Sequence, residues 1–200
     1  MKSAFSLVEM LVVVGIIAIL TGSSLAVYSN MTNKAQVTKG LELVMNTTTA
    51  LTQYFQEKGF WADALIEGSG DRLNAKAAYP LAKAGYMSLS YDANMRSLSG
   101  LDRCGIVDPW AMDAIKAVSS SSNADHLKVR TGGTVDDHIL RYAIDDDGDG
   151  ITEINTEGIS ARVRATACVW SCGPDGVFQP YSKRGRSDDI YSWTKAMEVR

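Results

Sequence analysis

The chain is short of proline, cysteine, histidine and aromatic residues, and neither charge is in large surplus. Its 200 residues include 4 prolines, 3 cysteines and 2 histidines, with 8% aromatic residues and a net charge of -3 at pH 7. Nucleic-acid-binding chains usually carry a basic surplus, so this balance argues against nucleic acid as a partner. The sequence has no phosphate loop, zinc-hydrolase pattern or nucleophile elbow, and His126 and His138 are isolated from any catalytic motif. We therefore expect a protein that is not an enzyme.

One long apolar run lies near the start of the sequence. It extends from Phe5 to Tyr28 and contains a single charged residue, Glu9. A helix over this run would rise about 36 Å at about 1.5 Å per residue, more than the bilayer core of about 30 Å. A carboxylate in lipid costs about 2 to 4 kcal/mol and is normally retained for a partner. The run predicts a membrane helix whose Glu9 meets a positive charge on a neighbouring copy; a removable secretory signal and a simple signal anchor are the alternatives.

The helical pattern continues beyond Tyr28 with a changed, amphipathic composition. No proline occurs between Asn30 and Lys58, and Gly59 stands where a C-terminal cap is needed. The pattern predicts one helix from Phe5 to Lys58, with two helices broken at 22–24 as the alternative. Its core-facing positions recur every three or four residues: Val37, Leu41, Val44, Met45, Thr48, Leu51 and Phe55.

The rest of the chain alternates short apolar segments with Gly, Ser and Asp turns. The pattern predicts a short helix over Asn74–Ala84 and strands over Ala111–Val118, Leu127–Thr131, His138–Ile144 and Ile159–Trp170. Short strands with such turns favour an antiparallel meander. We therefore expect an α+β fold in which a long N-terminal helix packs on a small antiparallel β-sheet. In this organisation residues 29–58 form the amphipathic half of the helix and residues 59–200 form a globular head.

An acidic run in the head resembles part of a calcium-binding loop. Asp145, Asp147 and Asp149 occupy positions one, three and five of an EF-hand loop, followed by the turn glycine and a carbonyl position. Position twelve holds Thr156 where a bidentate glutamate belongs, and Glu157 comes one residue late. The run predicts either a weak calcium site or a solvated acidic hairpin tip.

Three cysteines allow at most one intramolecular disulfide. In an exported head, Cys104 would pair with Cys168 or Cys172. Zinc is the weaker alternative, because a lone Cys-x3-Cys with no nearby histidine is a poor metal signature.

The N-terminal residues resemble the class III signal of type IV pilins and type II secretion pseudopilins. The resemblance runs from Ala4 and Phe5 through Glu9 to Leu20. In that family a prepilin peptidase cuts on the cytoplasmic side, before an aromatic residue that becomes N-methylated. The family's glutamate pairs with the new amino terminus of the adjacent subunit. The resemblance implies a leader of residues 1–4, cleavage between Ala4 and Phe5, and Glu9 as the assembly carboxylate.

Two positions depart from the family's pattern. Ala4 stands where the family usually has glycine, and Ala26 stands where a proline is common in the membrane helix. The second difference implies that the membrane half, residues 5–28, is straighter than in the family.

The head is also similar to the major pseudopilin of type II secretion systems, with 132–158 as an apparent insertion. The similar stretches are Tyr54 with Gly59 and Trp61, Asp108-Pro109-Trp110, Ser171–Gly176 and Ser187–Trp193. In that pseudopilin the C-terminal loop holds a calcium ion. The resemblance implies Asp175, Asp188 and Asp189 as calcium ligands, and ordinary turn and capping aspartates are the alternative.

The family resemblance implies a mechanical function. The chain would be a structural subunit of a type IV pilus or a type II secretion pseudopilus, polymerising with further copies and with other pilins or pseudopilins. The implied partners are a prepilin peptidase and an inner-membrane assembly platform with its ATPase. The implied location is the inner membrane, single-pass, with the head in the periplasm and the filament in the periplasm or at the cell surface. The alternatives are a membrane-anchored minor pilin that binds DNA, glycans or a host surface, and an exported calcium-binding or hydrolytic protein.

Overall fold

A computed structural model describes residues 7–87, 105–112, 114, 128–156, 159–179, 188–194 and 197–199. The chain divides into two compact units, Met1–Thr38 and Lys39–Arg200. Helix α1, Leu7–Lys58, contributes residues to both units. The single long helix predicted from the sequence is therefore confirmed over the described residues, and it runs through 22–24 without a break.

Helix α1 ends at the glycine that the sequence predicts as its cap. Gly59 has a φ of 73°, and its N–H donates to the carbonyl of Phe55 at 2.8 Å. Glycine takes this left-handed conformation without the Cβ penalty of other residues, so the helix end is encoded locally. The chain then turns back, and the Trp61 ring stacks on Phe55 with 4.8 Å between ring centroids.

The buried face of α1 in the second unit differs from the predicted one. The helix buries Gly40, Val44, Thr47, Leu51 and Tyr54, which recur at three-and-four spacing. Val44 and Leu51 confirm part of the prediction. The prediction is wrong for Leu41 and Met45, which are each 47% exposed, and for Val37 of the first unit, which is 49% exposed. Glycine lacks a side chain, so apolar spacing alone did not reveal that Gly40 lies in the buried face.

Two short helices follow α1. Helix α2, Asp63–Glu67, was not predicted, because a single turn carries too little periodicity to detect. Helix α3, Ala75–Lys83, confirms the helix predicted over Asn74–Ala84. Asn74 caps its N-terminus by accepting the Ala77 N–H at 2.9 Å.

Among the described residues, five strands form two antiparallel sheets. The larger sheet has the order β1–β4–β5, and β2 and β3 form a separate two-stranded ribbon. The α+β fold with a small antiparallel sheet is thus confirmed. The strands are β1 Arg141–Ile144, β2 Thr152–Thr156, β3 Ile159–Val163, β4 Ala167–Ser171 and β5 Ile190–Tyr191.

The predicted strands needed several corrections. The strand predicted over His138–Ile144 starts only at Arg141, because His138 closes a 3-10 turn, Asp136–His138. The predicted strand Ile159–Trp170 is two strands, β3 and β4, separated by bends at 164–166. The supposed insertion at 132–158 contributes β1 and β2.

Two further strand predictions are wrong where they can be judged. In Ala111–Val118, residues 112 and 114 are helical, and 113 and 115–118 lie outside the described residues. In Leu127–Thr131, Lys128 makes an isolated bridge with Thr134, residues 129–131 are not in a strand, and Leu127 is outside the described part of the chain.

Strand β4 lies between two apolar clusters and is buried along its whole length. Side chains alternate between the faces of a strand. Val169 accordingly joins the larger cluster with α1, α2 and α3, whereas Cys168 and Trp170 join a smaller cluster with Ile154 and Trp193.

The free edge of β3 is lined by a segment near the C-terminus. The Arg164 N–H donates to the Met197 carbonyl at 2.9 Å, and the Val199 N–H donates to the Arg162 carbonyl at 2.7 Å. A bridge between Val163 and Glu198 lies between these two hydrogen bonds. Residues 197–199 therefore run beside β3 as a third, irregular strand.

Candidate functional site

The first turns of α1 present apolar side chains all around the helix. Every large apolar side chain from Leu7 to Leu20 is between 47% and 80% exposed. Glu9 lies in the first turn and is exposed as well. A helix that is apolar on all sides is normally covered by lipid or by other protein, so this surface is the first candidate functional site.

The predicted processing residues cannot be placed, because Ala4 and Phe5 lie outside the described residues. Cleavage between them and methylation of Phe5 stay predictions. None of the helices among the described residues combines the length and apolar character needed to cross a membrane.

The structure brings together the three aspartates of the acidic run. One carboxylate oxygen from each of Asp145, Asp147 and Asp149 lies within 4.8 Å of the others. The buried Asp145 accepts the N–H groups of Gly148 and Gly150, each at 2.8 Å. These hydrogen bonds wrap the loop around Asp145, and calcium prefers such a set of carboxylate oxygens.

The second half of an EF-hand loop is not formed here. The chain enters β2 at Thr152, whose hydroxyl donates to the Ala165 carbonyl at 2.6 Å. Thr156, at position twelve, pairs with Ile159 at the far end of the ribbon, about 13 Å along an extended strand from Thr152. The residues present therefore fit only the first half of the site, and calcium binding here stays a prediction.

The second predicted calcium set is arranged differently. Asp175 accepts the Gln179 side-chain N–H at 2.9 Å, while Asp189 accepts the Gln179 backbone N–H and the Tyr191 hydroxyl, each at 2.8 Å. Burial raises the pKa of Asp188, and the charge of nearby Asp175 raises it further against an opposing backbone hydrogen bond. The carboxylates of Asp175 and Asp188 thus lie close enough to repel each other.

These three residues do not form a compact ligand group like the one in the 145–149 loop, which is the only such group among the described residues. Hydrogen bonds to Asp175 and Asp189 match the alternative of turn and capping aspartates. A calcium ion shared by Asp175, Asp188 and Asp189 stays a prediction.

The cysteines can be placed only in part. Cys168 is a free, fully buried cysteine in β4, and Cys172 is buried just beyond the strand. Burial raises the pKa of the Cys168 thiol to about 12, although a hydrogen bond with Thr152 opposes the shift. Cys104 lies outside the described residues, so its predicted disulfide is not tested.

Sequence reasoning missed a buried polar cluster in the head. His138 was expected to be isolated, but its Nδ1 lies 3.1 Å from both carboxylate oxygens of Asp108. Ser171 donates its hydroxyl to the same carboxylate at 2.8 Å. A nucleophile and base pair would instead have the serine donate to the imidazole. No spacing in the sequence connects positions 108, 138 and 171, and the partial signal was the aspartate before Pro109-Trp110.

Comparison with curated proteins identifies similar chains among type IV pilins. The type IV major pilin protein PilE1 of Neisseria gonorrhoeae is 30% identical over 63 residues, 32% of this chain and 29% of the pilin. The fimbrial protein EcpC of Eikenella corrodens is 29% identical over 76 residues, 38% of this chain and 50% of EcpC. A fimbrial protein of Neisseria meningitidis serogroup B is 31% identical over 61 residues, 30% of this chain and 36% of that protein.

The chain is thus similar to type IV pilins and fimbrial proteins over 30% to 38% of its length. The long α1 and the small antiparallel sheet are a pilin-like α+β architecture. The chain spans between 29% and 50% of the length of these relatives. No family model matches the chain, and no solved structure matches it.

Proposed function

We propose that this chain is a structural subunit of a type IV pilus or a related filament and that it polymerises through the first part of α1. The observation that carries the proposal is the exposed apolar surface from Leu7 to Leu20 around a single carboxylate, Glu9. Outside lipid, a bundle of such helices keeps this apolar area from water, which contributes about 25 cal/mol per Å². The similarity to type IV major pilins supports this use of the surface.

Glu9 supplies the register of the proposed bundle. A carboxylate among packed apolar helices is stable only beside a counter-charge, since an unpaired buried charge is very unfavourable. Cleavage before Phe5 would create a positive amino terminus at the start of the helix. In the proposed filament this amino group lies beside Glu9 of the neighbouring subunit, and each added copy repeats the pairing.

Assembly requires processing and a source of work outside this chain. A prepilin peptidase would cut between Ala4 and Phe5 and the new terminus would be methylated. Before assembly, residues 5–28 would anchor the chain in the inner membrane with the head in the periplasm. An inner-membrane platform would then lift subunits into the filament.

The test of this proposal is the variant Glu9→Ala, with Glu42→Ala on the same helix as its control. Both glutamates are exposed, but only Glu9 lies in the apolar surface. We expect the yield of filaments recovered by shearing to fall at least about tenfold for Glu9→Ala. The variant leaves the amino terminus of the neighbouring subunit without its counter-charge, and a loss of about 2 kcal/mol corresponds to more than a tenfold change. The melting temperature of the head and the filament yield of Glu42→Ala should be unchanged. Normal filaments from Glu9→Ala would rule out the proposed register.

The mass and N-terminal sequence of the mature protein test the processing step separately. A chain that starts at methylated Phe5 supports the proposal. A start beyond Ala26, or an uncut Met1, would contradict it and would favour an exported or simply anchored head.

A secretion pseudopilus is the second candidate. It is favoured by the similarity of Asp108-Pro109-Trp110 and of the C-terminal loop to the major pseudopilin. Deletion of the gene should then abolish export of a type II secretion substrate while surface pili persist. Loss of surface pili with normal secretion would favour the pilus. Filaments formed normally without this chain, together with lost adhesion or DNA uptake, would favour a minor binding pilin.

A further inference from the structure

Two ionisable side chains meet in the interior of the head. The side chains of Asp108 and His138 are both 0% exposed, and Nδ1 of the imidazole lies 3.1 Å from Oδ1 and from Oδ2 of the carboxylate. An ionisable pair without access to water is unfavourable unless every polar atom has a partner. The partners of this pair fix its charge.

The carboxylate of Asp108 accepts hydrogen bonds on both oxygens. The Trp110 N–H donates to Oδ1 at 3.2 Å, and the Ser171 hydroxyl donates to Oδ2 at 2.8 Å. The Ser171 oxygen accepts the Gly173 N–H at 3.1 Å, so its own hydrogen is left for the carboxylate. These two donors favour the carboxylate form of Asp108, in which both oxygens accept and the hydrogen shared with the imidazole lies on Nδ1 of His138 rather than on the carboxyl group.

The imidazole of His138 faces acceptors on both sides. Its Nε2 lies 2.9 Å from the carbonyl oxygen of Gly132, which can only accept, so Nε2 carries a hydrogen. Its Nδ1 faces the ionised carboxylate, which also can only accept, so Nδ1 carries a hydrogen too. Beside a carboxylate, a neutral imidazole would leave one of these contacts as two acceptors facing each other. The charged imidazolium is therefore the form of the ring that satisfies both contacts when Asp108 is ionised.

We infer that Asp108 and His138 form a buried charged clasp that fastens three separate segments of the head and makes its stability depend on pH. The segments are the turn at 108–110, the loop and 3-10 turn at 132–138, and the turn at 171–173. The backbone also joins two of these segments, because the Asp108 N–H donates to the His138 carbonyl at 2.9 Å and Val107 bridges Ile139. The clasp adds a side-chain connection that reaches the third segment through Ser171, and loss of its proton would leave a buried carboxylate beside a neutral ring.

The surrounding charges favour the imidazolium. Asp108 faces Nδ1, and Asp137 is the other acidic group that acts on the ring. Arg72 lies beyond Asp137, 3.5 Å from one of its oxygens, and also pairs with Asp136 at 3.3 Å. The backbone of Gly176 closes the Nε2 side, where an added Cβ would lie 3.1 Å from Nε2.

The pKa of His138 reflects the same balance. Burial alone would lower it, but the hydrogen bond and charge of Asp108, the Gly132 carbonyl and the charge of Asp137 together raise the pKa above its usual value. A raised folded-state pKa means that the contribution to stability is complete below the unfolded value of about 6.5 and is lost as pH rises through the folded value. The head should therefore become less stable as the pH rises through the folded-state pKa of His138.

The test compares His138→Gln with His126→Gln in the full chain in detergent micelles. The sequence has 2 histidines, so the second variant is a matched control. At pH 6 we expect His138→Gln to melt about 5–15 °C below the control, since breaking a buried pair is strongly destabilising. The difference in melting temperature between the two variants should decrease steadily as the pH rises toward 10. An equal gap at every pH would overturn the inference.

If His138→Gln does not fold, a spectroscopic measurement determines whether the His138 ring is charged. Nitrogen-15 NMR of the histidine-labelled His126→Gln chain reports on His138 alone. We expect both ring nitrogens to be protonated at pH 7. A single neutral tautomer at pH 7 would show that the ring is uncharged and would exclude the charged clasp.

Discussion

Gly40 of α1 lies against the ring of Trp110. A Cβ added to Gly40 would lie 3.3 Å from two atoms of the Trp110 ring and 2.7 Å from Cδ1 of Ile190. The absence of a side chain at this one position therefore sets how near the helix can pack. Val44 and Leu51, on the same face, are fully buried as a consequence of that approach.

We expect Gly40→Val to lower the free energy of unfolding of the head by about 1–3 kcal/mol, because added methyl groups overpack the contact with Trp110 and Ile190. Gly15→Val is the control, since a Cβ at Gly15 would have no neighbour within 4 Å. Thermal unfolding followed by tryptophan fluorescence measures the change. Equal melting temperatures for the two variants would show that the contact of Gly40 with Trp110 and Ile190 does not limit how near α1 packs.

The cap of α1 gives a second prediction. Gly59→Ala should cost about 1 kcal/mol, because alanine pays a steric penalty in the left-handed conformation. A Cβ at Gly59 would have no neighbour within 4 Å, so no clash contributes. Gly59→Asn should cost less, since asparagine tolerates this conformation. Urea unfolding of both variants tests the order, and an asparagine variant less stable than the alanine variant would contradict it.

Calcium should stabilise the head if the acidic loop binds it. With a dissociation constant of about 0.1–1 mM, typical of extracellular modules, about 10 mM calcium would add about 1.4–2.7 kcal/mol. Asp149→Asn should abolish this gain, whereas Asp146→Asn, whose carboxylate lies outside the three-aspartate group, should keep it. Asp188→Asn reports on the C-terminal set in the same assay. Calcium-independent melting of the unchanged chain would refute both sites.

The Cys168 thiol should resist alkylation in the folded head. Its pKa of about 12 leaves about one thiolate in 10,000 at pH 8, and burial blocks the reagent as well. Peptide mass mapping should show Cys168 modified only after unfolding without reductant. A Cys168 peptide linked to Cys104 would contradict a free Cys168, and a Cys172 peptide linked to Cys104 would establish the predicted bridge.

The long helix was predictable because its signals are local. The apolar run, the lack of proline and the cap at Gly59 are each determined by neighbouring residues along the chain. Its buried face was predicted less well, because Gly40 has no apolar side chain to count. The similarity of its first residues to a pilin signal also supplied the assembly hypothesis for Glu9, which only experiment can test.

The head was harder to predict, because tertiary contacts decide its elements. Strand β4 is buried on both faces and shows no alternation of apolar and polar residues, so the pattern marks no boundary between β4 and β3. The lack of similarity to the major pseudopilin over 132–158 suggested an insertion, although Tyr142, within that range, is fully buried in the core. Asp108 and His138 are 30 residues apart in sequence, and only the fold brings them together.

Residues 197–199 occupy the outer edge of β3. An open strand edge offers unpaired N–H and C=O groups to any passing chain, which is the route to edge-to-edge aggregation. Heads crowded at high local concentration would be exposed to that hazard, and the hydrogen bonds of Met197 and Val199 already fill this edge from within the same chain. Residues 197–199 thus prevent another chain from pairing with this edge of β3.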